Sequence, residues 1–307
     1  MPLFTVVIPT YNRADFIIGT ISSALAQEDD DFEVIVIDDG STDDTETIVR
    51  ETFGRVGKVR YYQQVNSERG AARNKGIAEA LGKYVVFLDS DDLMHGDHLS
   101  ALREITEKNP GLNFLATKFE FIRDGKVCSA RLEGIREGEY GTDFFLRGAP
   151  IGSVFCINKN NPNLKWFEED RRYATSEDWM FLVQNLVEDK IYIGDKVTMS
   201  VNDHDQRSMR SDNQELIKRK LLAKDWVMKN VTLSNDQIRI LESHTYYFCM
   251  IHSYLDNRRR EAFRYLFRSV KRSGLNLKLV MLLIKTLLGH QLVQKIKGRI
   301  PGALTVG

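Results

Sequence analysis

Residues 84–92, Tyr-Val-Val-Phe-Leu-Asp-Ser-Asp-Asp, limit the choice of fold more than any other stretch. Five apolar residues run without a break and stop at three carboxylates in four positions. So short a run, aromatic and β-branched, reads as a strand buried on both faces, the parallel-sheet kind. Its carboxylates then lie at the strand's C-terminal end, where open α/β sheets bind ligands. Asp89, Asp91 and Asp92 cannot crowd there cheaply as bare anions, because like charges raise one another's pKa. A hard divalent cation resolves that conflict, and Mg²⁺ takes one or two carboxylates together with substrate phosphates. Taken alone, the same residues would serve as a turn or a helix N-cap.

The surrounding pattern favours the sheet. Residues 4–9 read as a buried strand opening into Thr10-Tyr11-Asn12-Arg13, with helical periodicity over 14–26. A second strand, 32–37, ends at Asp38-Asp39-Gly40-Ser41-Thr42-Asp43 ahead of a helix from Asp44. A third strand at 59–64 and a helix at 71–81 lead to the central strand, and a helix at 98–108 follows it. Strands alternating with single helices give a parallel sheet of right-handed βαβ units with helices on both faces. The loops 10–13, 38–43 and 89–92 must then converge on one edge. After Pro110 the pattern changes. Segments 114–123 and 126–132 flank Asp124-Gly125, a strong hairpin signal, and make a small antiparallel addition. An apolar strand is expected at 151–157, an amphipathic helix at 177–187, and two short edge strands over 190–201. From Asp212 the reading is helical: 213–229, 234–256, 259–273 and 277–296. The expected organisation is an α/β domain over 1–211 and a C-terminal helical region over 212–307.

Charge is distributed unevenly along a chain whose net charge is zero. Between Arg258 and Arg299 stand twelve Lys/Arg and one acid, Glu261, leaving 31 basic and 42 acidic side chains in the first 257 residues. A basic tail on an acidic body points to an anionic partner. Its cations alternate with Leu, Ile, Val and Phe, as in helices that lie on a membrane surface; a solvated helical cap or a homodimer arm fits the same pattern. No recognised nucleic-acid module is present. Three cysteines without paired spacing, Cys128, Cys156 and Cys249, argue against disulfides or a zinc site and fit a cytoplasmic setting. No signal peptide or membrane-spanning run is read.

Five motifs stand in order: Val6-Val7-Ile8-Pro9-Thr10-Tyr11-Asn12-Arg13, Ile37-Asp38-Asp39-Gly40-Ser41-Thr42-Asp43, Ala72-Arg73-Asn74, Asp89-Ser90-Asp91-Asp92 and Glu177-Asp178-Trp179. Together they resemble the family 2 glycosyltransferases with a GT-A fold, over residues 3–211. The resemblance implies a nucleotide-sugar donor, commonly a UDP-sugar, with Mn²⁺ or Mg²⁺. It implies that Pro9, Thr10 and Tyr11 cradle the base, with Tyr11 stacking on it and Arg13 nearby. It points to Asp39 as a hydrogen-bond partner of the base, Arg73 as a neighbour of the nucleotide and Asp89 as a neighbour of the ribose. It makes Asp91 and the late His204 metal ligands and Asp178 the general base of an inverting displacement. The acceptor implied is a saccharide or lipid-linked saccharide at the inner face of a bacterial membrane, entering between Asp178 and rims at 140–153 and 158–166. Phe144, Phe145 and Trp166 suit either sugar stacking or a core.

Plainer readings accompany each residue. Asp38 and Gly40 suit a turn, Arg73 a solvated helix face, Glu177 and Asp178 the first turn of a helix, and His204 an exposed loop. Other classes fit less well. An aspartyl-phosphate phosphatase has Thr or Val where Leu93 stands, and a nucleotidyltransferase wants glycines that 10–15 lack. A non-catalytic nucleotide-sugar binder or membrane scaffold would have no need of Asp91 and Asp178.

Overall fold

The computed structural model of the chain describes residues 1–130, 132, 134–148, 150–204, 212–274 and 277–288. It divides into two compact units, Met1–Arg207 and Ser208–Gly307.

The first unit begins β1 (Phe4–Thr10), α1 (Ile17–Leu25), β2 (Phe32–Asp38), α2 (Thr45–Phe53), β3 (Val59–Gln63), α3 (Glu68–Glu79) and β4 (Tyr84–Phe87). It continues β5 (Leu93–Met94), α4 (His98–Lys108), β6 (Phe114–Arg123), β7 (Lys126–Ala130), β8 (Gly138–Tyr140), α5 (Thr142–Phe145), β9 (Cys156–Asn158), α6 (Glu177–Asn185) and β10 (Ile191–Asn202). Among the described residues the strands form one sheet, ordered β3-β2-β1-β4-β9-β6-β10-β5, with β7 beside β6 and β8 beside β10. The half from β3 to β4 is parallel. β6 and β10 are also parallel to each other, while β9 runs antiparallel between β4 and β6.

Both faces of the parallel half are covered, which is why its strands are apolar without alternation. Val6 and Ile8 pack with Ile17, Ile21, Val49 and Leu99 from α1, α2 and α4. Val7, facing the other way, meets α3: a Cβ on Gly76 would lie 2.3 Å from Val7 Cγ1, so only glycine lets the helix this close. The parallel register brings the strand ends level. Thr10 stands opposite Asp38 and Val7 opposite Phe87, so the three acidic or polar loops leave the sheet at one edge.

Two expectations need correction. Residues 190–201 are not two edge strands but one long strand, β10, inside the sheet between β6 and β5. Its register slips between Ile193 and Val197, where Gly194, Asp195 and Lys196 interrupt the apolar pattern and make one strand look like two. Of the strand expected at 151–157, only Cys156 and Ile157 belong to a strand, which runs on to Asn158. Gly152 has φ +52°, a left-handed turn that takes 151–154 out of the sheet. The hairpin is as expected, with Asp124 at φ 50° and Gly125 at φ 72° in its turn.

The second unit is helical: α7 (Asn213–Asn230), α8 (Asn235–Leu255), α9 (Arg259–Ser273) and α10 (Leu277–Leu288). α8 starts with a capping box, in which Ser234 Oγ accepts from Gln237 N–H and the Gln237 side chain accepts from Ser234 N–H. Cys249, Met250, Ala262, Leu266 and Leu279 form its core. The expected extension of the last helix to 296 lies outside the described residues. Among the described residues no helix is long and apolar enough to cross a membrane.

Candidate active site

The rim above β1, β2 and β4 is held together by hydrogen bonds between loops that are distant in sequence. Asp39 N–H donates to the Thr10 carbonyl at 2.8 Å, continuing the sheet by one residue. Asn12, at φ 51°, donates its N–H to Ser41 Oγ at 2.9 Å, and its side-chain carbonyl accepts from Thr42 N–H at 2.8 Å. Asp38 is fully buried and accepts from Ser41 N–H at 2.7 Å and from the Tyr61 hydroxyl at 2.5 Å. Burial and this hydrogen bond hold the Tyr61 phenol well above its usual range. Asp38 is thus the loop-shaping member of its pair.

Asp39 is buried as well, and its carboxylate anchors α3. Oδ1 accepts from Ser67 N–H and Gln64 Nε2, both at 2.8 Å, and Oδ2 from Glu68 N–H at 2.8 Å. Three of about four lone-pair positions are used, which leaves one on Oδ2 for a ligand donor. Tyr11 lies just beyond β1 and is 45% exposed, and Thr10 Oγ1 is buried with no partner among the described residues.

The acidic loop after β4 divides into three fates. Asp92 is structural: its N–H donates to the Asp89 carbonyl, and its Oδ1 accepts from Asn202 N–H at 2.9 Å at the end of β10. Asp91 is half-buried, with Arg13 Nε at 3.3 Å and His204 Nε2 at 3.0 Å from the same oxygen, Oδ2. The His204 ring stacks on Phe16 with centroids 4.6 Å apart. Asp89 accepts from Arg73 Nη2 at 2.9 Å and from Ser153 Oγ at 2.7 Å. Burial pushes the Asp89 carboxyl up, but Arg73 and Arg69 outweigh it and hold it below the ordinary carboxylate range.

Arg73 is buried, not solvated, and links two loops. Its Nη1 donates to Glu177 Oε1 at 2.9 Å while Nη2 serves Asp89. Burial disfavours the cation, yet Asp89, Glu177 and Asp178 together raise its pKa, so it stays charged. Arg73 Nε and Glu177 Oε2 are buried with no partner among the described residues. Such orphaned polar atoms are rare.

Glu177 and Asp178 open α6. Asp178 Oδ1 accepts from Trp179 N–H at 2.6 Å, and the Trp179 indole donates to the Phe145 carbonyl at 2.8 Å, which pins the first turn. Burial first, then the charge of Glu177, raises the Asp178 pKa to about 6, against the pull of Arg73. A Cβ on Gly152 would stand 3.9 Å from Asp178 Oδ2, so the 151–153 turn forms one wall beside this carboxylate. Phe145 is fully buried and Trp166 is 51% exposed, so of these two aromatics Trp166 is the one open to a ligand.

Contacts therefore run from Thr10 to Asp39, from Arg13 to Asp91, and from Asp89 through Arg73 to Glu177, beside Asp178. Sequence reasoning placed Ser153 only at the end of an acceptor rim and missed its bond to Asp89, and it missed the bond from Arg73 to Glu177. A lone hydroxyl next to glycine carries no period, and Glu177 looks like any first-turn acid. Asp91 and His204 put one carboxylate and one imidazole 3.0 Å apart, near enough to share an ion. Among the described residues no group of three or more His, Cys, Asp or Glu side chains is disposed to hold a metal.

Comparison with known proteins bears on the family and the fold. Residues 5–156 match the family model for glycosyl transferase family 2. An uncharacterized glycosyltransferase of Rickettsia felis is 37% identical over 142 residues, 46% of this chain and 23% of that protein. Escherichia coli chondroitin synthase is 35% identical over 130 residues, 42% of this chain and 19% of that protein. A Campylobacter jejuni GalNAc(5)-diNAcBac-PP-undecaprenol beta-1,3-glucosyltransferase is 30% identical over 166 residues, 52% of this chain and 53% of that protein. The chain thus spans less than a quarter of the first two and about half of the third. Among solved structures, Staphylococcus aureus TarS 1–349 in complex with UDP-GlcNAc shares the fold with a TM-score of 0.67 and 19% identity, over 89% of this chain and 81% of that one.

Proposed function

This chain belongs to glycosyl transferase family 2 and has a GT-A fold, and from that premise we propose that it moves a sugar from a nucleotide-sugar, a UDP-sugar in the first instance, to an acceptor hydroxyl with inversion. The observation that carries the proposal is the single rim on which Asp39, Asp89, Asp91 and Asp178 meet through Thr10, Arg13 and Arg73. Acidic groups so close to a buried guanidinium and a half-exposed tyrosine suit a nucleoside diphosphate better than an apolar ligand.

Tyr11 offers a face for the base, and the open lone pair of Asp39 accepts from its N–H. Asp89, clamped by Arg73 and Ser153, presents its remaining acceptor capacity to the ribose. Mn²⁺ or Mg²⁺ would be held by Asp91 and His204, with Arg13 giving up Asp91 for the donor's phosphates. When bound, such an ion supplies Lewis-acid stabilisation of the charge on the departing diphosphate. Asp178 takes the proton of the attacking hydroxyl as general base. One base and one displacement lead to inversion, with no covalent sugar on the enzyme.

The C. jejuni relative's name describes a lipid-linked acceptor and that of the E. coli relative a chondroitin polymer. A saccharide acceptor of bacterial surface-glycan assembly, free or lipid-linked, therefore fits the region of Gly152, Ser153 and Trp166. The test is release of UDP from a panel of UDP-sugars with Mn²⁺ and glycan acceptors. UDP should appear with one donor and acceptor pair, disappear with EDTA and disappear in Asp178→Asn. Turnover that survives Asp178→Asn unchanged would refute the assignment.

A further inference from the structure

We propose that the outer surface of the α9–α10 pair docks on an anionic lipid bilayer. This goes beyond the sugar-transfer reading and stands on a different unit of the chain. α9 buries Ala262, Tyr265, Leu266 and Ser269, the i, i+3, i+4, i+7 face. Its opposite face presents Arg260, Arg264, Arg268 and Lys271 around Phe267, which is 69% exposed. None of these four cations has a carboxylate partner among the described residues. The nearby Glu261 is half-buried and paired with Arg258.

α10 returns antiparallel along α9. Its Leu279 joins the core formed by Tyr265 and Leu266, and the Arg259 guanidinium at the start of α9 donates to the Leu288 carbonyl at the end of α10, at 3.4 Å. Away from that core, Met281, Ile284, Leu287 and Leu288 are 41–61% exposed, an aliphatic stripe at helical spacing. Exposed apolar side chains on both helices, Phe267 among the α9 cations and the α10 stripe, mark an interaction surface.

Charge decides the occupant. An isologous contact with a second copy would set four unpaired cations against the same four, which is repulsive. A nucleic acid would use the cations and leave the aliphatic stripe in water. The headgroup boundary of an anionic bilayer uses both, because cations meet the surface potential while Phe and aliphatic side chains enter the acyl region. Among the described residues neither helix is long and apolar enough to cross a bilayer, and the proposal is for a docking face.

The experiment is co-sedimentation of the full chain with phosphatidylcholine vesicles, with and without phosphatidylglycerol, in the absence of nucleotide sugar, so that failure here says nothing against the sugar-transfer reading. Two variants are compared: Arg264→Gln/Arg268→Gln/Lys271→Gln and Phe267→Ser/Ile284→Ser/Leu287→Ser, with circular dichroism to follow helix content. The wild type should sediment only with vesicles containing phosphatidylglycerol. The charge variant should lose about fivefold in partitioning per cation removed, and the apolar variant should bind only at low salt. A wild type that stays in the supernatant would overturn the proposal, as would equal partitioning of all three proteins. So would a dimer in light scattering that the apolar variant dissociates, because that outcome assigns the face to a second copy. If a variant loses helix content, the salt dependence of wild-type partitioning still decides: binding to phosphatidylglycerol vesicles that is insensitive to salt contradicts the charge argument.

Discussion

At the scale of single residues, two carboxylates on adjacent positions have opposite duties. Glu177 neutralises Arg73, while burial and the charge of Glu177 raise the pKa of Asp178 to about 6. A general base acts deprotonated, so turnover should fall as pH drops through about 6, and a kcat/KM profile with its acid limb there is the expected result. Replacing Glu177 by Gln removes a negative charge beside Asp178 and should move that limb to lower pH, since a like charge no longer resists ionisation. Removing Arg73 has a different signature. Arg73→Met leaves the buried Glu177 carboxylate and the partly exposed Asp89 uncompensated and should cost about 3 kcal/mol in urea unfolding. Arg73→Lys keeps the charge but cannot reach Asp89 and Glu177 at once, and should recover only part of that loss. Asp39 shows where residue-level reading stops. Its place in a strand-end acidic loop was legible, but its partners Gln64, Ser67 and Glu68 belong to an ordinary polar stretch with no period. Its duty as the anchor of α3 was therefore hidden, and so was that of Ser153.

At the scale of elements, the parallel half of the sheet was readable because burial on both faces removes alternation from β1, β2 and β4. Long-range pairing in the other half was not. β10 crosses Gly194-Asp195-Lys196 with a slipped register, and a local pattern cannot tell one interrupted strand from two. β9 is three residues long because a left-handed Gly152 precedes it, and that turn is what brings Ser153 to Asp89. The close approach of α3 to β1 gives a direct test. Gly76→Ala places a Cβ 2.3 Å from Val7 Cγ1, so the helix must shift. Overpacking of this kind should cost about 1–3 kcal/mol. Because α3 carries both the Asp39 anchor at its start and Arg73, UDP affinity measured by calorimetry should fall together with the melting temperature.

At the scale of the whole molecule, composition told of an acidic body and a basic tail from Arg258, whereas the two compact units divide earlier, at Arg207 and Ser208, so that α7 and α8 join the basic helices in the second unit. Motif order was legible through residue 179, because a ligand that spans several strand ends needs particular side chains at each. The acceptor was not legible, since it meets loops whose sequences answer to no common pattern. The central claim is that loops from opposite ends of the first unit form one cleft for a nucleoside diphosphate with its cation. Calorimetric titration of UDP with Mn²⁺ into wild type, Asp39→Ala, Asp91→Asn and Asp178→Asn tests it most directly. The prediction is one site per chain, with affinity at least tenfold weaker in the first two variants, a loss of about 1.4 kcal/mol or more, and nearly unchanged in Asp178→Asn. Unaltered UDP affinity in both Asp39→Ala and Asp91→Asn would contradict the account.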